Sequence, residues 1–81
     1  MLVLARRQGE SLKIGNDIAI IVKEINPSHV RLCVNDSEDI TIDKRESKVI
    51  ADGIKITVKK IKGTQTKLGI NAPESMKVDR E

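Results

Sequence analysis

Leu68-Gly69-Ile70-Asn71-Ala72-Pro73-Glu74-Ser75-Met76-Lys77-Val78-Asp79-Arg80-Glu81 repeats, with changes, the stretch Leu32-Cys33-Val34-Asn35-Asp36-Ser37-Glu38-Asp39-Ile40-Thr41-Ile42-Asp43-Lys44-Arg45 that stands 36 residues earlier. Each copy reads as a strand, a short turn and a second strand. The later copy has Asn-Ala-Pro where the earlier has Asn-Asp-Ser, and it places Arg80 where the earlier has Lys44. Working outward, residues 11–45 superpose on residues 47–81 without a gap, giving 11 identities over 35 positions. Ile14/Ile50, Ile18/Ile54, Ile20/Ile56, Val22/Val58 and Leu32/Leu68 are apolar matches at strand spacing, while Asn35/Asn71 and Glu38/Glu74 fall in the turns. The constant register marks an internal repeat. Met1 to Glu10 has no second copy by this alignment.

Ile18, Ile20 and Val22 recur at period two, as do Val30, Leu32 and Val34, and Ile40 and Ile42; turn residues such as Gly15-Asn16-Asp17 and Asn26-Pro27-Ser28 separate these runs. Short strands at this spacing predict an all-β small sheet or barrel. Lys44 to Asp52 is the one helix candidate, and its β-branched Val49 and Ile50 weaken it.

At 81 residues the chain is expected to form one small domain, of a size that is marginal unless something doubles or staples it. The single cysteine, Cys33, excludes an internal disulfide framework and reads as a small side chain on the less apolar strand face. No His/Cys cluster offers a metal site, no cofactor is expected, and neither a Ser/His/Asp set nor paired carboxylates suggest an enzyme. His29, after a Pro-Ser turn, reads as a solvated turn residue. The start shows no signal-peptide pattern and no stretch reaches membrane-spanning length, so the expected location is the cytoplasm, with no membrane partner. Residues 1–46 carry 7 Lys/Arg and 8 Asp/Glu, whereas residues 47–81 carry 8 and 4. A basic second half suits a polyanionic partner. The chain has no Phe, Tyr or Trp, so nucleic acid would be held by Arg planes, aliphatic contacts and backbone groups rather than by aromatic stacking.

Met1-Leu2-Val3-Leu4-Ala5-Arg6-Arg7-Gln8-Gly9-Glu10-Ser11-Leu12-Lys13-Ile14-Gly15 resembles the opening of the carbon storage regulator (CsrA/RsmA) family, and Lys62-Gly63, Lys67-Leu68-Gly69-Ile70-Asn71-Ala72-Pro73 and Val78-Asp79-Arg80-Glu81 resemble its later turn, fourth strand, Asn-Ala-Pro loop and fifth-strand end. The resemblance implies a post-transcriptional regulator that binds single-stranded GGA-containing RNA, with a protein or small-RNA antagonist among its partners. It also implies an interleaved dimer of five-stranded chains. There the first strand of one subunit lies beside the fourth of the other, the fifth lies beside the partner's second, and each RNA site joins one subunit's first strand to its partner's loop and fifth strand.

The sequence departs from the family pattern after Asp43, where Lys44-Arg45-Glu46 leads directly into Ser47-Lys48-Val49-Ile50 instead of into a terminal helix. It therefore predicts a single-chain pseudo-dimer of about nine strands in two packed antiparallel sheets, a monomer rather than a strand-swapped homodimer. Residues 1–46 would form a first copy and residues 47–81 a second copy without its own first strand. In the expected arrangement, one sheet joins the first strand and the fifth strand of the first copy to the second copy's middle strands. The other joins the first copy's middle strands to the final strand.

One complete RNA site results, with Leu4, Arg6 and Arg7 beside Asn71, Ala72, Pro73, Glu74, Val78, Asp79 and Arg80. Arg80 would supply bidentate hydrogen bonds and a flat face, Leu4 and Val78 aliphatic contact, and the Pro-containing loop its backbone groups. Arg6 and Arg7 would neutralise phosphates. Asp79 stands where the family has histidine. The other site, with Lys44 for the arginine and Asp36, Glu38 and Asp39 in its loop, is expected to repel RNA. The alternative is a protein-interaction role, in which the chain has lost RNA binding and acts through a family-type partner or its antagonist.

Overall fold

The computed structural model describes residues 1–80, Arg80 by its backbone alone. Nine strands follow one another: β1 (Leu2–Arg7), β2 (Ser11–Ile14), β3 (Ile18–Ile25), β4 (His29–Val34), β5 (Glu38–Asp43), β6 (Ser47–Ala51), β7 (Ile54–Lys62), β8 (Gln65–Asn71) and β9 (Val78–Arg80). No helix forms among the described residues; Lys44 to Asp52 is a turn followed by β6.

All pairings are antiparallel, in a four-stranded sheet of order β1-β8-β7-β6 and a five-stranded sheet of order β5-β4-β3-β2-β9. The inward positions of both sheets build one core from Leu4, Leu12, Ile14, Ile20, Val22, Val30, Leu32, Val34, Ile42, Ile54, Ile56, Val58, Leu68 and Ile70. Each fully buried aliphatic side chain contributes about 1.5–3 kcal/mol of transfer free energy. Cys33 is buried but outside this core, on the outer face opposite Asp39.

The repeat is visible in the register. Val22↔Leu32 corresponds to Val58↔Leu68 at the offset of 36 residues, and both hairpins carry a β-bulge at the same place, Val22/Glu24 and Val58/Lys60. β1 lies on β8, with Leu2 opposite Ile70 and Arg6 opposite Thr66, which is the neighbour the sequence predicts. β9 lies on β2, with Ile14 opposite Val78.

One strand is placed differently from expectation. β5 pairs with β4 of its own copy, Leu32 opposite Ile40 and Val30 opposite Ile42, instead of lying beside β6. It thereby fills, next to β4, the position that β1 fills next to β8. The turn that follows makes the same match: Gly9 N donates to Val22 O and Val22 N to Glu10 O (2.8 and 2.9 Å), and Arg45 N donates to Val58 O and Val58 N to Glu46 O (2.8 and 3.1 Å). Residues 38–46 thus repeat the geometry of residues 2–10. The strand position left empty is the one beyond β6, so the four-stranded sheet ends there.

Two local causes account for this. Asn35 and Asp36 have φ of 52° and 57°, and Ser37 N donates to Val34 O at 3.1 Å. Two consecutive left-handed residues form the I′-type hairpin turn that folds β5 straight back on β4. At the corresponding place in the second copy, Pro73 stands where Ser37 does and has no N–H to donate to Ile70 O, so the hydrogen bond that closes the first copy's turn has no counterpart and the chain crosses to the other sheet as β9. The second cause lies on β6. In the β2–β9 register Leu12 is opposite Arg80; a β5 strand on β6 in that register would set Lys44 against Lys48, and like charges directly opposite are destabilising.

Candidate nucleic-acid interface

β1 is an edge of the four-stranded sheet and β9 an edge of the other. β2, which follows β1 after a short turn, is the strand on which β9 lies. Arg6 Nη1 donates to the Ser11 carbonyl at 2.9 Å and its Nε to the Ala5 carbonyl at 2.8 Å. Ser11 adjoins Leu12, whose cross-strand partner is Arg80. The end of β1 is therefore tied by a side chain to the strand on which β9 lies. Glu10 completes the corner, accepting from Arg7 N at 2.7 Å and standing 3.9 Å from Arg6 Nε.

The expected site residues separate by role. Leu4 is only 3% exposed and belongs to the core, so its side chain offers no contact to a base. On β1 it is Leu2 and Val3 that are exposed, each at 45%. The Arg6 side chain is 12% exposed, with two donors on backbone carbonyls, and serves as a strap between β1 and β2. Arg7 is exposed. Asn71 and Pro73 are exposed at the end of β8 and in the crossing loop, while Ala72 and Val78 are half-buried against the core. The loop is held by Met76 N donating to Pro73 O at 2.9 Å and by Gly15 N donating to Lys77 O at 2.7 Å. Asp79 is exposed and directly opposite Lys13, a favourable opposite-charge register. The side chain of Arg80 lies outside the described part of the structure; its backbone closes the corner.

The other candidate site is built from different parts than the sequence suggests. Lys44 sits in the β5–β6 turn, where its N donates to Ser28 O at 2.9 Å; Asp36 occupies the hairpin turn, and Glu38 and Asp39 open β5. That site has a strand in the place of β1 and lacks a fifth strand beside β6.

The Global regulator protein family, CsrA, matches the chain twice, over residues 1–47 and over residues 40–81. The chain belongs to the CsrA family. The two CsrA matches overlap across residues 40–47, most of which lie in the segment that repeats the geometry of residues 2–10. Among curated CsrA relatives, the translational regulator CsrA of Rhodopirellula baltica is 46% identical over 46 residues, covering 57% of this chain and 66% of the relative. The proteins of the same name from Syntrophomonas wolfei and Clostridium acetobutylicum are 38% and 37% identical over 48 and 46 residues, with 59% and 57% of this chain and 63% of each relative covered. Each match thus spans slightly less than two thirds of the relative's length. No solved structure matches the chain at a significant level. Among the described residues no helix is long and apolar enough to cross a membrane.

Sequence reasoning passed over the outer face of the four-stranded sheet. A groove of about 190 Å³ runs there between Lys60, Lys62, Gln65, Thr66 and Lys67. The repeat itself carried the signal, since Lys60 and Lys62 stand where the first copy has Glu24 and Asn26.

Proposed function

We propose that this chain is a post-transcriptional regulator that binds single-stranded GGA-containing sites in messenger leaders or small RNAs through one complete interface, made of β1, the 71–77 loop and β9. The observation that carries the reading is the corner where the Arg6 guanidinium rests on Ser11 O, one residue from the Leu12 that pairs with Arg80. It is supported by family membership and by the name of the relatives, translational regulator CsrA. Arg80 and Arg7 supply charge-assisted donors to bases and phosphates, Val78 and the exposed apolar side of β1 supply aliphatic contact, and Asn71 to Pro73 present backbone groups. Asp79, matched by Lys13, adds little repulsion. The chain acts as a single-chain pseudo-dimer of two repeats, 1–46 and 47–81, with residues 38–46 in the first-strand place of the second. It works in the cytoplasm without catalysis or cofactor, and a protein or small-RNA antagonist competes for the same corner.

A gel-shift with a GGA hairpin tests this. The parent chain is expected to bind, and Arg80→Ala to weaken binding by about tenfold, the loss of one charge-assisted contact. Absence of binding by the parent chain overturns the RNA reading and leaves the protein-interaction role.

A further inference from the structure

The strands of the four-stranded sheet contain eight Lys/Arg and no Asp/Glu, while those of the five-stranded sheet contain four Lys/Arg and five Asp/Glu. Strand alternation sends Arg7, Lys55, Lys62 and Lys67 to the outer face of the first sheet, and the bulge after Val58 adds Lys59, beside Gly69, and Lys60. Small residues, Ala5, Thr57 and Gly69, lie between them.

The decisive detail is one cross-strand pair. In the first copy Glu24 is directly opposite Arg31, an attractive pair. In the second copy the same structural position holds Lys60 opposite Lys67, a repulsive one, with Lys62 and Arg7 flanking it across Gln65. The fold does not require these lysines, because the first copy builds the same bulged hairpin without them. They are not guards against edge aggregation either, since β7 and β8 are interior strands. A like-charge pair at an interior site is relieved when an anion lies over it.

We infer that the outer face of the β1-β8-β7-β6 sheet is a track for the phosphodiester backbone of RNA, running from Arg7 at the interface across Lys67, Lys60 and Lys62. It reads no sequence; it holds the nucleotides flanking the site. The inference rests on the RNA reading above but concerns a different surface.

The test compares a short GGA oligonucleotide with the same oligonucleotide extended on both sides by uridines, measured by fluorescence anisotropy over a range of salt. The variant is Lys60→Glu/Lys62→Asn, which copies the first copy's residues and restores an opposite-charge pair, so folding is retained. The parent chain is expected to bind the extended RNA about tenfold more tightly than the short one. The double variant is expected to bind the short RNA as the parent does and to lose the gain from extension, with a log–log salt slope for extended RNA lower by about 1.4 for two phosphates. Lys23→Glu, on the other sheet, lowers the net charge by two against three for the double variant and is expected to keep the gain. The inference is overturned if extension adds nothing, if the double variant keeps the gain, or if Lys23→Glu abolishes it equally. Binding of the extended RNA alone, dependent on Lys60 and Lys62, supports the track while overturning the GGA site; binding of neither RNA overturns both.

Discussion

Arg45 shows at the scale of one residue how the repeat was reused. It adopts φ of 69°, in the position where Gly9 adopts 90°, and both backbone N–H groups donate to the carbonyl of the matching valine. Glycine takes that conformation freely, whereas a side-chain-bearing residue pays about 1–2 kcal/mol. Arg45→Gly is therefore expected to stabilise the chain by roughly 0.5–1 kcal/mol, the gain being reduced by the greater freedom of glycine in the unfolded state. Urea unfolding checks this, and a loss of stability would show that the arginine side chain makes a compensating contact. Gly69 leaves room of another kind: a Cβ there would come within 2.7 Å of the Met1 sulfur, so a side chain at position 69 would displace the exposed Met1 side chain from β8.

At the scale of elements, β6 is the strand without an outer neighbour. Lys48 occupies the inward position that Leu12 holds on β2, opposite Ile56 as Leu12 is opposite Ile20. An inward-pointing charge and the bulge at Val49/Ala51 are devices that keep an edge from pairing with another chain. Lys48→Leu is expected to raise stability by about 1 kcal/mol and to cause concentration-dependent association, seen in sedimentation velocity. A variant that stays monomeric at high concentration would mean that the edge is closed by something other than this lysine. The placement of β5 belongs to this scale too. Alternation of apolar residues marked the first copy's strands, the internal repeat carried them into the second copy, and the family pattern made the β1–β8 and β2–β9 pairings legible. The partner of β5 was misread because Ile40 and Ile42 present the same inward face whichever strand lies beside them. The information lay in Asp36-Ser37 against Ala72-Pro73, a difference in turn chemistry that the overall similarity of the two copies conceals. Leu4 was misplaced for a related reason: residue type alone does not say which side of β1 faces the core, and only the pairing of Leu4 with the buried Leu68 does.

At the scale of the molecule, one chain supplies both sheets around a single core, while its charge is divided between the two outer faces. A single corner joins β1 to β9, and its counterpart has no fifth strand. The expected outcome in solution is a monomer that binds one short RNA per chain, checked by light scattering and by stoichiometric titration. Two RNAs per chain would mean that the acidic β5 side also binds; a dimer would mean that the β6 edge or β1 is shared between chains.

The pairing of β1 with β8 also has a kinetic consequence. Residues 2–7 meet residues 65–70, so β1 is without its neighbour until β8 has been made. The β3–β4 and β4–β5 hairpins close locally and early, whereas β1–β8 and β2–β9 require loop closure over most of the chain. Folding is thus expected to end with a zipper-like closing step that joins residues 2–7 to 65–70 and residues 12–14 to 78–80, so that the corner between the two sheets forms last.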